Sequence, residues 1–140
     1  RGLSDLLVVA PDAVPRRLED ALATAVPSLR LLEGSSMAIY WEMYGYPAGT
    51  VDLSLLVVRH DGKDLPRLGA EAPEQKGDTP IRIAWKDERE SRGAVEPQTL
   101  GVDLSRLRPG RYLVVVEARV AGDPPRRSVL TFTVERNRQH

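Results

Sequence analysis

From Ser36 onward the apolar residues recur at every second position, and this alternation constrains the chain more than any other feature. Ile39, Trp41 and Met43 point one way, while Tyr40, Glu42 and Tyr44 point the other. Val51, Leu53, Leu55 and Val57 share a face opposed by Asp52 and Ser54. The same period runs through Ile81-Ile83-Trp85, Leu100-Val102-Leu104, Tyr112 to Val120 and Leu130-Phe132-Val134. Side chains alternate across a strand, so a period of two means β-strands with one dry face and one wetter face. Gly45 to Gly49, Arg108-Pro109-Gly110 and Gly122 to Pro125 carry turn chemistry between the strands. Leu6 to Val9, closed by Pro11, adds one more β-prone run. Short strands punctuated by Gly and Pro, with no helices alternating among them, predict an all-β fold: a seven-stranded β-sandwich. Trp41, Trp85, Leu55, Val114, Val116 and Phe132 are its expected core.

One segment breaks the pattern. Val14, Leu18, Ala21, Leu22 and Ala25 recur at helical spacing between Pro15 and Pro27. Proline suits a first helical turn and blocks continuation, so the spacing predicts one short N-terminal helix over 15–25. A helix that short is marginal in water and must dock on something. The 140 residues therefore read as a single domain: a strand-and-helix arm over 1–35 and a sandwich body over 36–140. The polar stretch from His60 to Thr79 is long for a plain loop, and a short edge strand at Leu65 to Leu68 would break it up.

Composition excludes several functions. Twenty Lys+Arg balance 20 Asp+Glu, so the basic excess that nucleic-acid or anionic-membrane binding requires is missing. The apolar runs, Leu6 to Pro11 and Leu113 to Val116 among them, fall far short of a membrane span. Without cysteine there is no disulfide framework, thiolate zinc site or cysteine nucleophile. The chain opens on Arg1, which suits a processed or excised piece, so the lack of a leader leaves the compartment open.

No catalytic, cofactor-binding or metal residue is expected. His60 lies in the turn-like run His60-Asp61-Gly62, with no partner marked by spacing. Asp61, Asp64, Asp78, Asp87 and Glu88 lack calcium-loop spacing. Gly34-Ser35-Ser36 is not a nucleophile elbow. The charges of Lys86 to Arg92 read as an exposed, self-neutralised hairpin tip, and Arg126, Arg127, Arg136 and Arg138 as a solvated strand end and tail. Tyr40, Tyr44 and Tyr46 are the best recognition surface, since phenol rings stack sugars or anchor protein partners. The competing reading is that the N-terminal helix covers them.

Leu104-Ser105-Arg106-Leu107-Arg108-Pro109-Gly110-Arg111-Tyr112 resembles the tyrosine corner of fibronectin type III and related immunoglobulin-like domains. The resemblance implies a Greek-key immunoglobulin-like sandwich in which Leu107 plugs the sandwich end, Pro109-Gly110 turns the chain, and the Tyr112 hydroxyl bonds back to upstream backbone to pin the crossover. Trp41 would be the companion core tryptophan. A second likeness spans more of the chain. Ser4-Asp5-Leu6-Leu7, Ala38 to Gly45, Leu107-x-Pro109-Gly110-x-Tyr112 and Arg127 to Val134 follow in an order similar to the C-terminal sandwich portion of bacterial GWxTD-domain proteins. There an "SD-apolar" strand precedes a "YxExY" strand. Those proteins are mostly secreted or envelope-associated. The GWxTD motif itself is absent here, and the helix over 15–25 is foreign to that pattern.

Residues and resemblances together point to a non-catalytic, immunoglobulin-like structural or protein-interaction module of a bacterial envelope or secreted protein, located extracytoplasmically. Its expected partner is another protein or a neighbouring domain of the same polypeptide, with no cofactor, nucleic acid or membrane insertion. The alternative is a carbohydrate-binding module that presents the tyrosine stripe to a glycan. A covered stripe or an unpaired edge favours the first; a row of open rings favours the second.

Overall fold

A computed structural model describes residues 1–10, 29–59 and 81–136. Two sheets make a β-sandwich from nine strands among these residues: β1 (Gly2–Leu3), β2 (Leu7–Val9), β3 (Arg30–Leu32), β4 (Ser36–Tyr44), β5 (Gly49–Arg59), β6 (Ile81–Arg89), β7 (Val95–Asp103), β8 (Gly110–Arg119) and β9 (Arg126–Glu135). Seven were expected. The additions, β1 and β3, are two and three residues long, too short to carry a readable period. The helix expected over 15–25, the edge strand at 65–68 and His60 lie outside the described residues.

The first sheet is built around β4. Strand β7 pairs with it antiparallel along its whole length, from Ser36↔Asp103 to Tyr44↔Val95. On its other side β1 and β2 lie end to end, both antiparallel. The second sheet runs β3-β9-β8-β5-β6, antiparallel throughout except for the parallel pair β3 and β9. The chain changes sheets between β2 and β3, β3 and β4, β4 and β5, β6 and β7, and β7 and β8, and these crossings close the sandwich.

Alternation places the core as its physics requires. Met37, Ile39, Trp41 and Met43 of β4 face Val51, Leu53, Leu55 and Val57 of β5 and Val114, Val116 and Phe132 of β8 and β9 in one continuous cluster. Trp41 is fully buried and meets Trp85 at 6.3 Å between ring centroids, tilted by 56°, a geometry that aromatic pairs favour. Trp85 itself is only half-buried, because β6 is the last strand of its sheet and leaves its ring covered from one side.

The wetter faces are drier at their centres than the sequence pattern implies. Strand β4 is buried over seven consecutive residues, Met37 to Met43. On its outward side Val9, Ala38 and Tyr40 form a separate buried cluster, and on the outward side of the second sheet Val58 and Leu113 form another. A period of two distinguishes two faces without saying that the second one is wet.

Between β7 and β8 the chain crosses from one sheet to the other. Leu107 is buried in the core, and its N–H bonds the Leu104 carbonyl at 2.9 Å to make the turn. The Tyr112 hydroxyl donates to the Arg108 carbonyl at 2.7 Å, and its ring stacks on Phe132 at 5.6 Å. Arg59 reaches over that ring and donates to the Pro109 carbonyl at 3.3 Å. Gly110 has φ of 155°, and a Cβ there would approach Arg59 Nη2 to 2.8 Å, so glycine leaves room for the arginine to pass.

Candidate functional site

The three tyrosines singled out above do not form a row. Tyr40 and Tyr44 share the outward face of β4, as the alternation requires, with Glu42 between them. Tyr46 lies two residues past the strand end. Gly45 turns there at φ of 69°, a left-handed conformation that ends the strand's parity. The Tyr46 ring therefore swings to the interior, 6% exposed, and packs in the main core. Its membership of an outward stripe is corrected by that one backbone angle.

The other two rings are committed to a carboxylate. Tyr40, fully buried, donates its hydroxyl to Glu42 Oε2 at 2.9 Å, and Tyr44 donates to Glu42 Oε1 at 2.7 Å. Glu42 is only 6% exposed. A buried carboxylate is costly unless each oxygen is bonded, and two phenols supply that here. Burying the phenol beside this carboxylate, and bonding it there, raises the Tyr44 pKa above its ordinary 10.0: the hydrogen bond to Glu42 leads, then desolvation, then the Glu42 charge. Desolvation also raises the pKa of Tyr46.

Ser4 completes the cluster. It lies in the gap between β1 and β2, where the ladder on β4 is interrupted. Its N–H donates to the Glu42 carbonyl at 2.9 Å, and its Oγ accepts the Glu42 N–H at 2.7 Å, replacing the missing strand partner. The Ser4-Asp5 step and the Tyr40-x-Glu42-x-Tyr44 segment, far apart in sequence, thus converge on one residue. Glu42 was not among the expected site residues; the signals available were its place between two tyrosines of the same parity and its position in the YxExY pattern.

At the β6–β7 turn Lys86, Glu88, Arg89 and Glu90 are exposed as expected, but Arg92 and Asp87 are not. The Arg92 side chain is 1% exposed and Glu96 5%. Arg92 Nη1 bonds Asp87 Oδ2 at 2.9 Å and Glu96 Oε2 at 3.1 Å, while Nη2 bonds the carbonyls of Asp87 at 2.7 Å and Gly49 at 3.1 Å. Arg89 adds a bridge to Glu96 at 3.2 Å. The guanidinium fork ties the β4–β5 and β6–β7 turns together, a packing role that spacing within one segment cannot reveal. The basic strand end is likewise part of the sheet: Arg127 is 13% exposed and donates to Glu117 at 2.7 Å. Arg126 starts β9 and is exposed.

A shallow groove of about 330 Å³ lies on the second sheet between Asp52, Ser54, Ala84, Lys86, Glu117 and Arg119. The small side chains of Ser54 and Ala84 are directly opposed in the register and leave the dent. Its charges are already matched, Lys86 to Asp52 at 3.0 Å and Glu117 to Arg119 at 3.0 Å, so they offer a charged ligand little. Among the described residues no three His, Asp or Glu side chains gather as a metal site. No helix among them is long and apolar enough to cross a membrane.

No family model matches this sequence, and no curated protein does. Among solved structures, the soluble domain of PmoD from Methylocystis sp. ATCC 49242 (Rockwell) is similar, with a TM-score of 0.53 at 11% identity, over 93% of this chain and 89% of that one. At that identity the likeness concerns the fold, and the chain is a β-sandwich.

Proposed function

We propose that this domain is a non-catalytic structural or protein-interaction module with immunoglobulin-like connectivity, from a bacterial envelope or secreted protein. Leaving aside the very short β1 and β3, the remaining seven strands divide as β2-β4-β7 and β9-β8-β5-β6. That division supports the fibronectin type III and Greek-key reading, as does the Tyr112 bond to Arg108. The extracytoplasmic placement rests on the resemblance to GWxTD-domain proteins.

The observation that carries the interaction reading is the commitment of the tyrosines. Tyr40 is wholly buried, Tyr46 packs inside the sandwich, and Tyr44 spends its hydroxyl on Glu42. A sugar-stacking platform needs open ring faces. What the domain leaves open is a sheet edge, β6, which among the described residues pairs with β5 alone. Titration of soluble oligosaccharides against the domain, followed by tyrosine and tryptophan fluorescence, is expected to give no saturable change. A saturable change abolished by Tyr44→Ala would replace this reading with the carbohydrate-binding one.

A further inference from the structure

Sheet edges carry unpaired N–H and C=O groups, and folded proteins usually blunt them by keeping the edge strand short or by placing proline or charge there. Three of the four edges among the described residues are blunted so. Strands β1 and β2 are two and three residues long, as is β3 at three, and β7 carries Pro97, which has no N–H to offer. Strand β6 has nine residues, Ile81–Arg89, with neither proline nor glycine. It carries five charges, but Lys86 is turned back across the sheet to Asp52 at 3.0 Å and Asp87 and Arg89 are paired with each other at 3.3 Å, which leaves Arg82 and Glu88. The inward row of Ile81, Ile83 and Trp85 is left half-buried along this edge.

We infer that β6 pairs with β6 of a second copy of this chain, antiparallel about a two-fold axis at Trp85. This rests on the interaction reading above and names its partner. Directly opposed residues of an antiparallel pair must lie on the same face, so the axis passes through a residue and not between two. Trp85 is the midpoint of the strand, and only there do all nine residues find partners, Ile81 opposite Arg89 and so inward. In that register Arg82 stands opposite Glu88 of the second copy, and Glu88 opposite its Arg82. Both side chains are exposed on the outward face, and neither has an ion-pair partner among the described residues. Moving the axis to Ala84 sets Arg82 against Lys86, and moving it to Lys86 or Asp87 sets like charge against like at the axis itself. Opposite charges across a strand pair stabilise it, and like charges oppose it. Two five-stranded sheets then continue as one, and each Trp85 gains cover on its open side.

Sedimentation equilibrium of the whole chain between micromolar and millimolar concentration tests this. A reversible dimer is expected. Arg82→Glu and Glu88→Arg should each weaken it about tenfold or more, and the double swap should restore it to within about threefold of the parent. Both positions are exposed, so the variants should keep their far-ultraviolet circular dichroism. A chain that stays monomeric throughout, or a double swap that restores nothing, overturns the pairing. The glycan titration is independent of this result, so a monomer that binds no glycan refutes self-association while leaving the interaction reading intact.

Discussion

Glu42 shows how much a single buried carboxylate dictates about its neighbours. At 6% exposure it stays in place because Tyr40, Tyr44 and Ser4 surround it with donors and backbone bonds. Glu42 in turn holds the proton on Tyr44, whose pKa is raised above 10.0 chiefly by the hydrogen bond to Glu42, against a smaller lowering by Ser4. The folded state therefore binds that proton more tightly than the unfolded chain. The stabilisation is complete below about pH 10 and is lost as pH rises through the raised value. Tyrosinate absorbance during a base titration should show a fraction ionising late, and Glu42→Gln should move it down toward the ordinary range. A titration unchanged by Glu42→Gln would mean that the carboxylate does not govern the phenol.

At the scale of elements, the β6–β7 hairpin is held by an ion cluster rather than by its turn alone. Arg92 meets Asp87, Glu96 and the Gly49 carbonyl from a side chain that is 1% exposed. Removing one partner of a buried pair strands the other charge, which typically costs about 3–5 kcal/mol. Arg92→Met should lose about that much in urea unfolding, whereas adding Glu96→Leu to it should recover a good part, since the stranded carboxylate is then gone. A loss below about 1 kcal/mol for Arg92→Met would show a cluster that water screens like a surface pair. The run Lys86 to Arg92 looks solvated in sequence because its charges alternate in sign. Most of it is, but Arg92 is buried by the β4–β5 turn, whose Gly49 carbonyl lies 43 residues away from it in the chain.

Across the whole molecule, the crossing from β7 to β8 joins one sheet to the other, and Tyr112 pins it. Its hydroxyl bonds Arg108 and its ring fills the space beside Phe132. Tyr112→Phe keeps the ring and removes one hydrogen bond, a loss of about 1 kcal/mol. For a domain of this size that corresponds to a fall of about 3–5 °C in the thermal midpoint. Circular dichroism should show the same β content. An unchanged midpoint would show that the phenol's bond does not secure the crossing.

The sequence by itself determined the class of the molecule and much of its core. Alternation at Ile39-Trp41-Met43, Val51 to Val57 and Tyr112 to Ala118 needs only local stereochemistry, and a strand so patterned must bury one face. Leu107, Pro109, Gly110 and Tyr112 were readable because turn and corner act over nine residues of chain. Tertiary structure decided what depends on neighbours distant in sequence. Gly45 took a positive φ and sent Tyr46 inward, against the parity of Tyr40 and Tyr44. Ser4 met Glu42 across 38 residues. Arg92 was buried by a turn from another hairpin, and Trp85 was left half-covered because its strand came last in the sheet. A residue's alternation is set by its own backbone, but its burial and its partners are set by which strands lie beside it, and strand order is a property of the assembled chain.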